Sequence, residues 1–143
     1  MTLEYHSVRD FAKALGKVSP ELRRELRPQL RSAGQHVLSD MKRRAAYSSR
    51  IPSAIRMTVS FSSRGGGVRF RVNAGRAPHA RVLERGNDGG RGGTFRHPVF
   101  GDRDVWVTQA TRPFFFPAVQ AGRSEINRGI SAAVKASLKE VSR

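Results

Sequence analysis

Between Leu22 and Ala45 the apolar residues fall at Leu22, Leu26, Leu30, Ala33, Val37, Met41 and Ala45, every third or fourth position. Only a helix places such residues along one side, so the stripe commits this segment to a long helix with one face to bury. Ser19-Pro20-Glu21 supplies its start: a hydroxyl to accept from an early N–H, a proline where no donor is needed, and an acid at the positive end. Arg23, Arg24, Arg27, Arg31, Lys42, Arg43 and Arg44 lie mostly off the stripe and form a basic face, either hydrated or turned to phosphate. Pro28 interrupts the pattern and removes one backbone bond, which predicts a kink or a break there.

A one-faced helix needs a second layer, and the next segment provides one. Ile55, Met57, Val59 and Phe61 alternate with Arg56, Thr58 and Ser60; beyond the turn Ser62–Gly67, Val68, Phe70 and Val72 alternate with Arg69, Arg71 and Asn73. A period of two on both sides of a glycine-rich turn predicts an antiparallel hairpin over 55–74, apolar on one face and basic on the other. Arg56, Arg69 and Arg71 share the outer face, where like charges repel unless water or an anion such as DNA answers them. Ile126, Ile130, Ala133, Val134, Leu138 and Val141 return to helical spacing and predict a last helix over 117–142. Ser7 can cap a short helix carrying Val8, Phe11, Ala12 and Leu15 and ending at Gly16. The fold class expected is therefore α+β: a single domain with N-terminal helices (1–46) and a C-terminal helix packed on a small antiparallel sheet, and with a long extended arm.

The arm lies in Gly86–Pro117, which holds six of the eleven aromatic residues of the chain. Loops this long are functional or disordered, and disordered segments are poor in aromatics. It divides into a glycine hinge (Gly86–Gly93), a contact arm (Thr94–Asp104), a strand (Val105–Gln109) that could join the sheet of the 55–74 hairpin, and an aromatic anchor. Thr94, Phe95, Arg96, His97, Pro98, Phe100 and Trp106 are the candidate subunit-interface residues; Arg112, Pro113, Phe114, Phe115 and Phe116 form the anchor. Three consecutive Phe cannot all face one core, so the run reads as an internal plug, an intersubunit anchor, or both.

Catalytic and metal chemistry find little here. There is no cysteine, and His6, His36, His79 and His97 lack metal-ligand spacing. The glycine run before Thr94 has no Lys-Ser/Thr pair and is not a phosphate loop, and no nucleophile triad can be assembled. The one nuclease-like cluster is His97 with Asp102 and Asp104. The reading is a non-enzyme with no cofactor and no metal. A formal charge of +16 favours nucleic acid or an acidic protein as partner. No stretch is long enough to span a membrane, and the start MTLEYHSVRD lacks a signal-peptide layout, which predicts a soluble cytosolic product. A basic nucleic-acid-binding module is the principal alternative, and a small nuclease the lesser one.

Two short segments, His79-Ala80-Arg81-Val82-Leu83-Glu84-Arg85-Gly86 and Arg112-Pro113-Phe114-Phe115-Phe116-Pro117-Ala118, follow the basic helix and the hairpin in a fixed order. That order, with Gly93–Gly101 and Trp106 between the two segments, resembles the head–tail joining or tail-completion proteins of long-tailed bacteriophages, a group related to minor tail protein Z. Arg85 stands where that family often carries an aromatic or apolar residue. The resemblance implies a structural virion protein of the neck or tail, made in the host cytoplasm. It would form a homo-oligomeric ring, six-fold favoured and twelve-fold the alternative, around the DNA channel. Its other partners would be neighbouring neck and tail proteins, with non-specific DNA contact in the channel and no membrane.

Overall fold

The computed structural model describes residues 4–6, 19–61, 67–87 and 93–141. The short helix expected over 7–16, most of the turn 62–67 and the glycines 89, 90 and 92 lie outside these residues. Strand β1 (Glu4–His6) precedes the long helix α1 (Pro20–Arg44), a single turn α2 (Ile51–Ala54), strands β2 (Ile55–Ser60) and β3 (Gly67–Val72), and a short helix α3 (Ala80–Arg85). Strands β4 (Thr94–Val99) and β5 (Asp102–Ala110) then lead to the last helix, α4 (Phe115–Val141).

Helix α1 starts as its sequence dictates, with the Ser19 hydroxyl accepting from Leu22 N–H at 3.3 Å. Its buried residues, Leu26, Leu30, Gly34, Val37 and Met41, follow the predicted stripe. The helix is not broken at Pro28. Pro28 lies on the exposed side, where water can serve the carbonyl left without its donor, while buried Leu26 and Leu30 on either side hold the helix to the core.

Strands β1, β3 and β2 form an antiparallel sheet in that order. Ile55 pairs with Val72, Met57 with Phe70 and Val59 with Val68, so the predicted apolar face is continuous and lies against α1. The contact is close. A Cβ on Gly34 would come within 2.6 Å of Val68 Cγ1 and 2.7 Å of Met57 Sδ, so no larger side chain fits between helix and sheet without displacement. On the outer face Arg56 stands opposite Arg71, with Arg69 opposite Thr58.

Helix α4 runs antiparallel along α1: Gly129 meets Ala33, Glu125 meets His36, and Gly122 meets Val37. Cβ atoms built on Gly122 and Gly129 would approach Val37 Cγ2 and Ala33 Cβ to 2.2 and 2.6 Å, which shows how near the helices lie. Ile126 and Ile130 fill the seam together with Phe114, Phe115, Ala118 and Val119. The fold is α+β, as its element pattern predicts.

One expectation fails. Val105–Gln109 does not join the sheet of β2 and β3 but belongs to β5, which pairs with β4 alone from Thr94–Ala110 to Val99–Asp102. The cause is local: the tight turn Phe100-Gly101 folds β4 directly onto β5.

Candidate functional site

Helix α3 and the start of α4 meet at one carboxylate. Glu84, buried on the last turn of α3, accepts from the backbone N–H groups of Phe114 and Phe115 at 2.7 and 3.0 Å through Oε2, and of Phe116 at 2.9 Å through Oε1. A helix N-terminus presents four donors without intrahelical partners. Three of them go to Glu84, and the fourth position is Pro117, which has none. The carboxylate also lies at the positive end of the α4 dipole. Gly86, at φ 75°, closes α3 in a conformation that suits glycine, its N–H reaching Val82 O at 2.7 Å.

The neighbours of this joint reinforce it. Leu83 O takes the Arg112 N–H at 2.8 Å, and Tyr47 Oη donates to Arg112 O at 2.7 Å. The Arg112 guanidinium lies 4.3 Å from the centre of the Tyr47 ring. Burial pushes the Tyr47 phenol above its ordinary value of 10.0; the Glu84 charge adds to this and the Arg112 charge opposes it. Phe114 and Phe115 are fully buried, whereas Phe116 is half-buried with the Arg85 guanidinium 4.7 Å over its ring. Arg85 thus covers an aromatic face with a flat cation, as an apolar side chain could by packing. The sequence marks both segments as motifs, but nothing in their spacing says that a carboxylate in one caps the helix in the other.

From this joint the hairpin β4–β5 projects. Gly93 O accepts from Thr111 N–H at 2.7 Å, and the Asn87 side chain grips the backbone of Arg96, donating to its carbonyl at 2.9 Å and accepting from its N–H at 3.2 Å. Phe95 is buried at the base. Beyond it every residue of β5 is exposed. Alternation puts His97, Val105, Val107 and Gln109 on one face, and Arg96, Pro98, Trp106 and Thr108 on the other. Val105, Trp106 and Val107 are 49, 47 and 39 % exposed, and Phe100 at the tip is fully so. Of the predicted arm residues, the structure therefore gathers Thr94, Phe95, Arg96, His97, Pro98, Phe100 and Trp106 on one hairpin.

The His97 ring nitrogens face Pro98 O at 3.1 Å and Gln109 Oε1 at 3.2 Å, while Asp102 accepts from Asp104 N–H at 2.9 Å. These contacts hold His97 in the hairpin and direct it to groups other than the two acids. Among the described residues, no group of three or more His, Cys, Asp or Glu side chains could hold a metal ion.

The basic groups are divided. Arg56 folds back to donate to Ser53 O and Ile55 O at 2.8 and 3.3 Å, and stands across from Arg71 on the outer sheet face. Arg27 leaves the α1 face to donate to Val59 O at 3.0 Å beside the Phe61 ring. Arg43 and Arg44 both bind Asp40. Partial burial would raise the Asp40 pKa, but those two hydrogen bonds and charges outweigh it and hold the carboxyl below its ordinary value. Between the α1–α2 turn, α3 and the hairpin base lies an open cleft of about 760 Å³, with Arg50, Arg96 and Arg112 among its lining residues. No helix among the described residues is long and apolar enough to cross a membrane.

No curated protein and no solved structure matches the chain. Residues 9–86, just over half of it, match the family described as "Bacteriophage HK97-gp10, putative tail-component". The match takes in α1, the β2–β3 pair and α3, and ends at Gly86, beside the carboxylate that caps α4. With that core arranged as described, the chain belongs to the HK97-gp10-like family of bacteriophage tail components.

Proposed function

We propose that this chain is a non-enzymatic structural subunit of the phage neck or tail, acting in head–tail connection or tail completion as a ring around the DNA channel. The observation that carries the reading is the β4–β5 hairpin, which holds out Phe100 at its tip, Val105 and Val107 on one face and Trp106 on the other, and is exposed along all of β5. A two-stranded hairpin is at best marginally stable alone, and an exposed patch of this kind calls for a protein partner. Contact between the arm of one subunit and a different surface of the next is heterologous, and such contacts close into rings when the rotation permits. A six-fold ring is favoured. The arginines of the outer sheet face, Arg56, Arg69 and Arg71, would lie toward DNA, whose phosphates attract cations without sequence readout. The residues of the aromatic anchor hold the base of the arm in place.

The reading places the protein in the virion, assembled from the host cytoplasm beside other tail proteins. Light scattering after size exclusion, with negative-stain images of particles, tests it. The expected result is a closed ring at the neck or tail; a strict monomer both free and in particles would sink the proposal.

A further inference from the structure

We infer that the hairpin tip of one subunit seats in the cleft at the hairpin base of the next copy, an inference that rests on the ring-forming reading above. The tip consists of Phe100, fully exposed at φ 49°, Gly101 at φ 80°, and Asp102-Arg103-Asp104, which together carry one net negative charge. That φ suits glycine or asparagine far better than phenylalanine, so the turn holds out an aromatic ring at a position where local folding gains nothing from one. The two acids are exceptional in a chain of charge +16 with only eleven Asp and Glu.

The cleft is the complement of this tip. Tyr47, Leu83 and Phe95 give it apolar wall, and Arg50 and Arg112 give it positive charge, while the Arg96 guanidinium lies over Trp106 on the other face of the hairpin. A volume of about 760 Å³ exceeds what one Phe ring needs and accommodates a turn with its flanking residues. An aromatic ring among guanidinium groups and carboxylates against arginines are both favourable pairings. The tip cannot fill its own cleft. Phe95 lines the cleft and Phe100 stands five residues further along an extended strand, roughly 17 Å at about 3.4 Å per residue. The occupant is therefore the tip of a second copy, and tip-into-cleft is a head-to-tail contact of the kind that closes a ring.

The absence of native cysteine makes the test clean. Full-length copies carrying Arg103→Cys, which keeps Phe100 and both acids, and, under a different tag, Ser49→Cys in the cleft are mixed, and a short bifunctional thiol reagent is applied in solution and in assembled particles. The inference expects a cross-link between the two tagged copies, and none from Arg103→Cys to Thr58→Cys on the outer sheet face. Arg50→Asp in the cleft copy should abolish the link, and adding Asp102→Arg in the tip copy should restore it. Rings that form while the tip links only to another tip or to Thr58→Cys overturn this inference and leave the ring reading standing. The absence of any oligomer or link, in solution and in particles, overturns both.

Discussion

Replacing Glu84 with Ala removes the acceptor for three backbone donors at once, and the cost can be worked out from their surroundings. A hydrogen bond to a charged group contributes about 1.5–3 kcal/mol, so a simple sum would exceed ~4.5 kcal/mol. Two effects reduce it. The Phe116 amide is only partly buried and can be rehydrated, and the native state no longer bears the cost of a buried carboxylate, several kcal/mol before compensation. What remains is the stranding of the Phe114 and Phe115 amides, both buried, at about 1–3 kcal/mol each, which gives an expected loss of ~3 kcal/mol. Glu84→Gln discriminates further. A Gln amide oxygen can replace Oε2 and keep the two buried donors, while its NH2 opposes the Phe116 N–H, so the loss should be smaller, ~1–2 kcal/mol. Urea unfolding followed by circular dichroism measures both losses, and hydrogen exchange at the amides of 114–116 locates them. A Glu84→Ala variant within ~0.5 kcal/mol of the parent would refute the donor accounting. So would a Gln variant as unstable as the Ala one.

Three further outcomes are expected. Gly122→Ala and Gly129→Ala would each gain about 1 kcal/mol on an exposed helix, but here the new Cβ meets Val37 or Ala33, so both should destabilise by ~1–2 kcal/mol in urea unfolding; a gain would show that the helices are not so close. Phe100→Ser with Trp106→Ser should leave unfolding within ~0.5 kcal/mol while light scattering no longer detects the proposed oligomer, because these side chains touch little of their own core. The Tyr47 phenol has its folded pKa raised above the unfolded value of 10.0, so its contribution is fully present below that value and is lost as pH rises through the folded pKa. Phenolate absorbance should therefore show one of the two tyrosines ionising late, and Tyr47→Phe should remove that late step.

Local periodicity made α1, β2, β3 and the burial of Leu26, Leu30, Val37, Met41, Val68 and Phe70 legible, because each of those patterns spans only a few residues. What stayed hidden depends on partners distant in sequence. Strand β1 has three residues and gains its identity only from the edge of β3. The hairpin β4–β5 turns at Phe100-Gly101, whereas hairpin turns are recognised by Asn-Gly or Asp-Gly, so the segment read as an arm with a strand beyond it. Pro28 predicts a kink or a break by local rules, and the buried leucines on either side keep the helix unbroken there. Glu84 is the clearest case: thirty residues separate it from the first amide it caps.

The same joint has an evolutionary consequence. Because Leu83 O binds the Arg112 N–H, and Glu84 binds the start of α4, the chain enters and leaves the hairpin at nearly one point. Everything between is a loop closed at its neck, and lengthening such a loop is cheap: each doubling adds only about 0.6 kcal/mol of closure entropy. The hairpin can therefore change length, twist and tip chemistry under selection while the α1–sheet–α4 core keeps its sequence constraints. A tail component built this way can be refitted to a different neighbour by exchanging one cassette.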